Sequence, residues 1–453
     1  MSHDVRALSR VLDVLSSRDP RSLMSSLQDL SGQGAGHGAR RLTAWTHGTL
    51  RHRRTLGVLL GAVQKRALKG RSPRVIALLE LLAYRLLFQG EDRAALEAEA
   101  ARLGESNKVR AHVARALEAL EGAIAGREAL SEPLGPEDPR LPLSRAIALR
   151  LEGDPLGTGE RRLAGRLGVL YSLPDALVEA WLEAHGPEVA LELCRAANDP
   201  PPLFARANRL REPALLAADL AACGVAAAET DLAGGLLLGA GRERFSHTAP
   251  WRAGRFSIQD LTAQRVAPLL APRPGERVLD LCAAPGGKTT HLAELADDAA
   301  DVLATDLKVA RLRRVTQNAE RLGLRSIRVE RRDGRYAATD LRDAGPFDAV
   351  LVDAPCSNTG VLRRRPEARW RYDRRGQRRL AQDQARLLAA AVELVRPGGR
   401  LVYSLCSIEP DEGHDPVRAL LAERTDWRLE REELWLPSPS GGDGGYAALL
   451  LRS

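Results

Sequence analysis

The sequence predicts an α/β protein with a mostly parallel sheet and helices on both of its faces, preceded by a helical region. Residues 1 to about 130 repeat apolar side chains at helical spacing, as in "RVIALLELLAYRLLF". From about residue 255 short β-rich runs alternate with helix-like stretches, which is typical of a parallel sheet. The predicted strands are 277–282, 301–306, 326–333, 347–355 and 399–407. The helix-like stretches between them are 288–296, 308–322 and 377–396.

The chain of 453 residues is long enough for several domains. Proline and glycine crowd residues 131–160, which we interpret as a linker. We therefore predict an all-α domain over 1–135, a small α+β domain over 160–250 and the α/β domain over 251–453.

Composition limits the functional classes without choosing among them. A formal charge of +8 suits a polyanionic partner, but the same excess of arginine is expected of a GC-rich genome. Five cysteines without a C-x-x-C pair indicate neither a disulfide framework nor a zinc site, and the nine histidines form no metal-like pair. No stretch approaches the roughly 18 apolar residues of a membrane span, nor is there a signal-peptide core. We expect a cytoplasmic monomer without a metal.

The stretch "RVLDLCAAPGGKTTHLAEL" (277–295) predicts a strand, a tight turn and a helix. Gly287, Lys288 and Thr289 fit a phosphate-binding loop, but its first glycine would fall on Cys282. The dinucleotide pattern G-x-G-x-x-G is also missing. S-adenosylmethionine is the third possibility, because small residues let the backbone approach it and a helix N-terminus favours its carboxylate.

Acidic residues follow two of the predicted strands. Asp306 lies about 20 residues past the turn, where an acid accepts hydrogen bonds from ribose hydroxyls. It serves NAD and S-adenosylmethionine equally and argues only against a phosphate-binding loop. Asp333, after the third strand, is placed to bind an adenine amino group. Both acids indicate an adenosine-containing ligand at the carboxyl edge of the sheet.

Two cysteines, Cys356 and Cys406, each come just beyond a predicted strand. A single cysteine is usually a small core residue, but a pair beside a methyl donor suggests chemistry. A thiolate that attacks carbon 6 of cytosine makes carbon 5 nucleophilic enough to take a methyl group. Asp353 is either a protonated donor to ring nitrogen 3 or a carboxylate that contacts the methyl donor. Lys288 is a catalytic or pocket residue, since a cation at a helix start is unfavourable.

Three motifs, "DLCAAPGGKTTH", "FDAVLVDAPCSNTGVLRRRPEARW" and "LVYSLCSIEPDEG", resemble the Sun (RsmB-type) family of ribosomal RNA cytosine-5 methyltransferases. The helical segments "LTAWTHGTLRHRRTLGVLL" and "PRVIALLELLAYRLLF" resemble that family's NusB-like domain. The resemblance implies a Rossmann-like methyltransferase domain behind a NusB-like domain. It also implies S-adenosylmethionine as the cofactor and a cytidine of small-subunit (16S) rRNA as the substrate.

The resemblance also implies residue roles. Cys406 corresponds to the nucleophile, and Cys356 to the residue that assists release of the methylated RNA. The chain departs from the family at Leu405, where threonine is usual, and at Gly413, where asparagine is usual. The implied donor-binding positions are Cys282, Ala283, Ala284, Pro285, Gly286, Gly287, Lys288, Asp306, Asp333 and Asp353.

The densest basic segment, "RRRPEARWRYDRRGQRR" (363–379), interleaves arginines with aromatic rings. Arginines bind phosphates while rings stack on an unpaired base, although such a segment is also a common solvated helix face. The predicted RNA-binding residues are Arg363, Arg364, Arg365, Trp370 and Arg371. The alternative to an enzyme is a non-catalytic RNA-binding or ribosome-assembly protein, which the departures at Leu405 and Gly413 motivate. A phosphate-binding-loop nucleotidase is a third, weaker hypothesis.

Overall fold

The computed structural model describes seven stretches of the chain, which form two compact units. The stretches are 3–17, 37–64, 70–103, 105–135, 137–157, 161–239 and 242–453. The helical unit comprises Met1–Asp199 together with Leu362–Asp373. The sheet unit comprises Pro200–Val361 together with Arg374–Ser453.

Among its described residues, the helical unit begins with five α-helices, as the apolar periodicity predicts. They are α1 His3–Ser16, α2 His37–Val63, α3 Pro73–Tyr84, α4 Arg93–Arg102 and α5 Asn107–Gly122. Local sequence sets their starts: Ser72 caps α3 by accepting from the Val75 N–H, and Asp92 caps α4 in the same way. The interior leucines of α3 are fully buried, so its helical stripe forms the core of this unit.

The segment predicted as a linker contains strands instead. Strands β1 Ile124–Ala129, β2 Leu141–Pro142 and β3 Ile147–Leu151 form an antiparallel sheet in the order β1-β3-β2. The linker interpretation of 131–160 is therefore wrong for its described residues, and the region up to 135 is not purely helical. The prolines and glycines lie largely in the turns between these short strands, where such residues are favoured.

Two further helices, α6 Leu163–Leu170 and α7 Asp175–Ala196, complete the run to Asp199. Helix α7 is interrupted at Gly186 (φ 78°), which agrees with the two short helices that Pro187 predicts. Because these helices belong to the helical unit, the unit boundary at 199/200 divides the predicted middle domain of 160–250. The NusB-like identity of the helical domain stays a prediction.

Residues 362–373 belong to the helical unit although their neighbours in sequence belong to the sheet unit. Arg369 is fully buried, and its guanidinium donates to the backbone carbonyls of Arg51, Ser172 and Ala197 at 2.8–3.2 Å. The Trp370 indole N–H donates to the Leu50 carbonyl at 2.8 Å. Burial lowers the pKa of Arg369 to about 9. The segment is therefore part of the interior of the helical unit.

The sheet unit begins with a four-stranded antiparallel sheet in the order β5-β6-β4-β7. Its strands are β4 Leu203–Ala207, β5 Ala227–Glu229, β6 Gly235–Leu238 and β7 Phe256–Ile258, with helices α8 Leu216–Ala222 and α9 Ala249–Arg252. Strands at "PPPLFARANRL" and "GGLLLGAG" are as the sequence suggests. The sheet buries Ala205 and Phe256 against α8 residues such as Leu220.

The main sheet has seven strands in the order β10-β9-β8-β11-β12-β14-β13. Its strands are β8 Arg277–Asp280, β9 Asp301–Asp306, β10 Ile327–Arg331, β11 Phe347–Asp353, β12 Val395–Leu405, β13 Trp427–Trp435 and β14 Gly445–Arg452. Its helices are α10 Leu261–Leu270, α11 Gly287–Leu295, α12 Val309–Leu322, α13 Ala337–Asp340, α14 Arg374–Val392 and α15 His414–Glu423. Strands β8 to β12 pair in parallel, and only the pairings of β14 are antiparallel. The predicted Rossmann-like, mostly parallel sheet is confirmed.

Both faces of this sheet are buried, which explains why its strands read as continuous apolar runs. Successive residues alternate between two cores: Leu279 and Val350 face one, whereas Val278 and Leu351 face the other. Helix α14 covers the first face, and α10 and α11 cover the second. The strand ends that carry polar residues therefore meet at one edge between two apolar layers.

Within the described ranges, no helix combines the length and apolarity that crossing a membrane requires. The same part of the chain contains no group of three histidine, cysteine or acidic side chains with metal-binding geometry.

Candidate functional site

The turn between β8 and α11 lies beside the end of β9. The Ala283 N–H donates to the Thr305 carbonyl at 2.8 Å, which holds the turn against the neighbouring strand. Gly286 has φ 100°, and a Cβ there would come within 3.0 Å of the Val315 Cα of α12. Glycine is therefore required at this position, because α12 packs directly against the backbone where α11 begins.

A buried arginine of the four-stranded antiparallel sheet forms hydrogen bonds with the residues that follow this turn. Arg206 donates to the Gly287 carbonyl at 2.9 Å and to Thr290 at 3.2 Å, in the first turn of α11. It also pairs with Glu294 at 2.7 Å, and both side chains are almost fully buried. Since a buried pair with satisfied hydrogen bonds has one geometry, it fixes the start of α11 relative to β4.

Asp280 ends β8 with no exposed surface. Its Oδ2 accepts the Thr289 hydroxyl at 2.6 Å, whereas its Oδ1 has no hydrogen-bond partner among the described residues. Burial raises the pKa of Asp280 to about 7, against the smaller opposing effect of the Thr289 hydrogen bond. An unsatisfied buried acceptor of this kind is suited to a donor group that comes with a ligand.

Asp280 gives a testable dependence of stability on pH. The pKa of about 7 exceeds the value near 4 of an unfolded aspartate, so the folded chain keeps a proton that the unfolded chain releases. The free energy of unfolding therefore falls as the pH rises from about 4 to about 7, by at most roughly 4 kcal/mol. In Asp280→Asn this fall is expected to disappear, and urea unfolding at pH 4.5, 6 and 8 measures it.

Asp348 serves as a control, because its pKa is shifted in the opposite direction to the pKa of Asp280. Burial raises its pKa, but the Arg277 N–H and the Arg396 guanidinium reverse that effect and leave the pKa lowered. Its contribution to stability is therefore lost as the pH falls, so Asp348→Asn should flatten only the acidic side of the curve. Parallel pH curves for the parent and for Asp280→Asn would contradict the assignment.

The two acids predicted to bind adenosine lie at the ends of β9 and β10. Asp306 is 5 % exposed; it accepts from the Lys308 N–H at 3.0 Å and pairs with Arg311 at 3.2 Å. Asp333 pairs with Arg335 at 2.8 Å, whose hydrogen bonds lower the pKa of Asp333. A cavity of about 450 Å³ lies next to them, and its lining comprises Leu307, Arg331, Arg332, Asp333 and Asp340.

Lys288 and Asp353 form an ion pair at the carboxyl edge of the sheet. The Nζ–Oδ1 distance is 2.7 Å, and the lysine side chain is only 14 % exposed. Burial alone would lower the pKa of Lys288, but the Asp353 carboxylate outweighs it and the pKa is raised. Of the two states predicted for Asp353, the pairing favours the carboxylate. Negative charge at Cys406 also raises the pKa of Lys288, after the larger effect of Asp353.

The structure brings the two predicted cysteines together. The Sγ atoms of Cys356 and Cys406 are 3.2 Å apart, and both side chains are half-buried. The hydrogen bond with Cys406, followed by burial, raises the pKa of Cys356 well above its ordinary value. Cys356 therefore keeps its proton and faces Cys406.

Asn358 links the two cysteine turns. Its backbone has φ 65°, which asparagine tolerates better than most residues. Its Nδ2 donates to the Cys356 carbonyl at 2.8 Å, and its Oδ1 accepts from the Cys406 thiol at 3.3 Å. The Gly360 N–H also donates to the Cys406 carbonyl at 3.1 Å. These contacts hold the turn after β11 against the turn after β12.

The departures from the family pattern are accommodated by local packing. Leu405 is 3 % exposed and belongs to the core beneath the Cys406 turn. At Gly413 a Cβ would lie 2.8 Å from the ring of Tyr446, so that ring excludes any larger residue in this arrangement. The two substitutions therefore leave the cysteine pair in place.

The predicted RNA-binding residues differ in solvent exposure, from fully buried to exposed. Arg363 is 1 % exposed, and Trp370 packs in the helical unit through its hydrogen bond to Leu50. Arg364 is partly exposed, and Arg365 and Arg371 are exposed. RNA contact by the set stays a prediction, and burial argues against Arg363 as a member because a phosphate cannot reach a covered guanidinium.

Sequence reasoning missed three residues that shape the site. They are Asp280, Asn358 and Glu412. Asp280 has a sequence signal, because it interrupts the apolar run of β8 with an acid. Asn358 and Glu412 have none, since their importance depends on contacts between turns far apart in sequence. Cys282, in contrast, was predicted to bind the donor, and burial raises its pKa, so that it stays a neutral thiol.

Comparisons with known proteins agree with this geometry. Residues 267–444 match the family model described as 16S rRNA methyltransferase RsmB/F. Ribosomal RNA small subunit methyltransferase B from Salmonella typhi and that from Salmonella agona (strain SL483) are each 44% identical over 214 residues. The match covers 46% of this chain and 49% of each relative, so the chain spans about half the length of the curated relatives it matches.

Two solved structures share the fold. The crystal structure of PH0851 has a TM-score of 0.76 at 22% identity and covers 100% of both chains, a likeness that shows the fold alone. A methyltransferase homolog protein from Pyrococcus horikoshii has a TM-score of 0.54 at 26% identity, over 64% of this chain and 97% of that one. Residues 267–444 thus match the RsmB/F methyltransferase family model, and the motifs and the cysteine pair agree with that match.

Proposed function

We propose that this protein transfers a methyl group from S-adenosylmethionine to carbon 5 of a cytidine in small-subunit (16S) rRNA. The observation that carries the proposal is the pair of thiols 3.2 Å apart, beside the Lys288 ammonium, at the carboxyl edge of the parallel sheet. One cysteine would suffice for packing, whereas two in contact support a covalent mechanism with separate attack and release steps.

The residues of the turn suit S-adenosylmethionine. Ala283, Ala284 and Gly286 carry small side chains or none in the turn that leads into α11, and the N-terminus of that helix favours a carboxylate. The unpartnered Oδ1 of Asp280 is an acceptor available to an ammonium group. Asp306 and Asp333 stay the predicted partners of ribose and adenine, next to the 450 Å³ cavity. When bound, S-adenosylmethionine supplies an electrophilic methyl group.

In the proposed mechanism Cys406 is the nucleophile. Its thiolate, favoured by the Lys288 ammonium, forms a bond to carbon 6 of the flipped cytosine, and the ring electrons make carbon 5 nucleophilic. Asp353, paired with Lys288, holds that ammonium at the sulfur. The base must leave its stack to reach the thiol, so the substrate is expected to be unpaired or loosened RNA.

Release follows methylation and requires the second cysteine. The carbon-5 proton passes to solvent water, its bonding electrons restore the ring double bond, and the carbon–sulfur bond breaks with its electrons returning to Cys406. Cys356 keeps its proton and lies 3.2 Å from that sulfur, so it is the nearest acid for the departing thiolate.

Incubation with labelled S-adenosylmethionine and unmodified small-subunit rRNA tests the proposal. Label is expected on carbon 5 of cytosine, and bisulfite mapping of the product identifies the modified cytidine. Label on another base, or none from a folded protein that binds the donor, would contradict the proposal. A stabilising effect of magnesium-ATP in place of S-adenosylmethionine would favour the nucleotidase hypothesis.

RNA would be held in part by an arginine ridge on α14, formed by Arg375, Arg378 and Arg379. All three are exposed, and none has a carboxylate partner among the described residues. The first turn of α14 carries no acid, although an acid would suit the helix dipole. Gln384 on the same helix donates to the Pro355 carbonyl at 2.9 Å, so the ridge lies about 9 Å along the helix from the cysteine turn.

The ridge predicts a specific change in salt dependence. Each phosphate contact on single-stranded RNA contributes about 0.7 to the slope of log affinity against log salt concentration. The double variant Arg378→Ala/Arg379→Ala is therefore expected to reduce the slope by roughly 1.4 without changing donor affinity. Filter binding of an rRNA fragment at several salt concentrations measures it.

The matched control is Arg428→Ala/Arg431→Ala on β13. Those side chains are 60% and 61% exposed, but each pairs with a glutamate, Glu430 or Glu433. Their loss should leave the slope unchanged. An equal reduction in both variants would mean that the ridge does not contact RNA specifically.

The non-catalytic alternative predicts RNA binding without methyl transfer. Its motivation was the residues Leu405 and Gly413, and both are accommodated without displacing the cysteines. We therefore favour the enzyme. The monomeric state, the cytoplasmic location and the absence of a metal stay predictions.

A further inference from the structure

We propose that Glu412 is a positioning residue that holds the two cysteine turns at the separation needed for the attack and release steps. This inference rests on the proposed function for its meaning. The residue lies in the turn between β12 and α15 and has no exposed surface. Its carboxylate binds the residues that follow the two cysteines, so it acts on the sulfurs through those neighbours.

Each cysteine is followed by a serine, and Glu412 binds both serines. Oε1 accepts the hydroxyl of Ser357, which follows Cys356, and at 2.9 Å the hydroxyl of Ser407, which follows Cys406. Oε2 accepts the backbone N–H of Ser357 at 2.9 Å. The two serine hydroxyls are themselves 3.1 Å apart. One carboxylate therefore joins the two turns at the residues next to the sulfurs.

Two other elements hold Glu412 in place, one through its carboxylate and one through its backbone carbonyl. Gln384 of α14 donates to Oε2 at 2.8 Å, and the Tyr403 hydroxyl of β12 donates to the Glu412 carbonyl at 2.8 Å. Four hydrogen bonds thus converge on two oxygens, whereas no cation pairs with Glu412 in the described part of the chain. A buried carboxylate without a counter-ion depends on all of its donors, which makes the arrangement rigid.

Substitution by glutamine keeps the size but replaces one acceptor oxygen by an NH2 donor. The backbone N–H of Ser357 can only donate, so the glutamine oxygen must take the Oε2 position and its NH2 must face the two serine hydroxyls, which then lose their hydrogen bonds to a charged acceptor. The turns should then separate or fluctuate, and the 3.2 Å contact of the sulfurs should be populated less. The separation of the thiols can be measured without methyl transfer.

The experiment is oxidation of the full-length protein by diamide, which takes two thiol hydrogens and leaves a disulfide. Peptide mapping by mass spectrometry follows the Cys356–Cys406 crosslink with time. The parent and the control variant Glu276→Gln are expected to crosslink at the same rate. Glu276 pairs with Arg400 at 2.6 Å before β8, far in sequence from both turns. Glu412→Gln is expected to crosslink at least about tenfold more slowly.

Two further variants keep the test decisive if Glu412→Gln does not fold. Ser357→Ala and Ser407→Ala each remove one hydroxyl from the carboxylate, and each should slow crosslinking about threefold. Crosslinking at the parent rate in Glu412→Gln, or in both serine variants, would overturn the inference. Because crosslinking needs neither RNA nor donor, this result is separate from a failure of the proposed function. If that function holds, kcat should fall in Glu412→Gln while donor affinity stays unchanged.

Discussion

Replacing Cys406 by alanine is expected to remove methyl transfer and the covalent protein–RNA adduct together, with turnover reduced at least about a thousandfold. Carbon 5 of cytosine is a poor nucleophile until a sulfur is bonded to carbon 6, so no other group in the site substitutes for the thiolate. Methyl incorporation into rRNA and denaturing gels of the reaction measure the two losses.

The control for this variant is Cys223→Ala. Cys223 is exposed at the end of α8 and belongs to the same unit, but it has no part in the proposed chemistry. It should keep full activity. Donor binding should survive in Cys406→Ala, since the turn of β8 and α11 is intact. An adduct that persists in Cys406→Ala would assign the nucleophile elsewhere.

Cys356→Ala is expected to have the second largest effect, with the opposite signature. Attack by Cys406 and methylation should still occur, but the departing sulfur loses the protonated thiol 3.2 Å away. A protein–RNA adduct should therefore accumulate and survive denaturing gels, while multiple turnover falls by about a hundredfold or more. Mass spectrometry of the adduct should find the added methyl group.

The double variant Cys356→Ala/Cys406→Ala separates the two roles. It should form no adduct, because the trapped species of the single variant needs the Cys406 sulfur. Adduct formation in Cys406→Ala and its loss in Cys356→Ala would exchange the roles of the two cysteines. Equal loss of adduct in both single variants would mean that neither residue acts in release.

The alternating apolar runs were enough to predict the parallel sheet, because local periodicity reflects burial on both faces. They also placed Cys356 and Cys406 at neighbouring strand ends. Strands β13 and β14 were not predicted, since their pairing is long-range and β13 is mostly exposed. Glu412 and Asn358 were missed because their function depends on a neighbouring turn rather than on their own segment.

The largest difference from the sequence prediction concerns residues 363–371. Their arginines and tryptophan indicated an RNA-binding surface, but Arg363 and Arg369 are buried. Composition alone could not distinguish the two outcomes, because the backbone carbonyls that bind Arg369 come from segments far away in sequence. The exposed arginines that remain without partners begin only a few residues later, on α14.

The burial of residues 362–373 in the helical unit has a consequence for synthesis on the ribosome. Backbone carbonyls of residues 51, 172 and 197 receive their donors from a side chain that is translated more than 170 residues after the last of them. A nascent chain that ends at 199 therefore lacks the buried Arg369 side chain that joins these three carbonyls, and its helical unit cannot pack completely ahead of the rest. Residues 1–199 therefore complete their fold only after residues 362–373 have been synthesised. Fragments that end at residue 199 should be degraded rapidly in the cell.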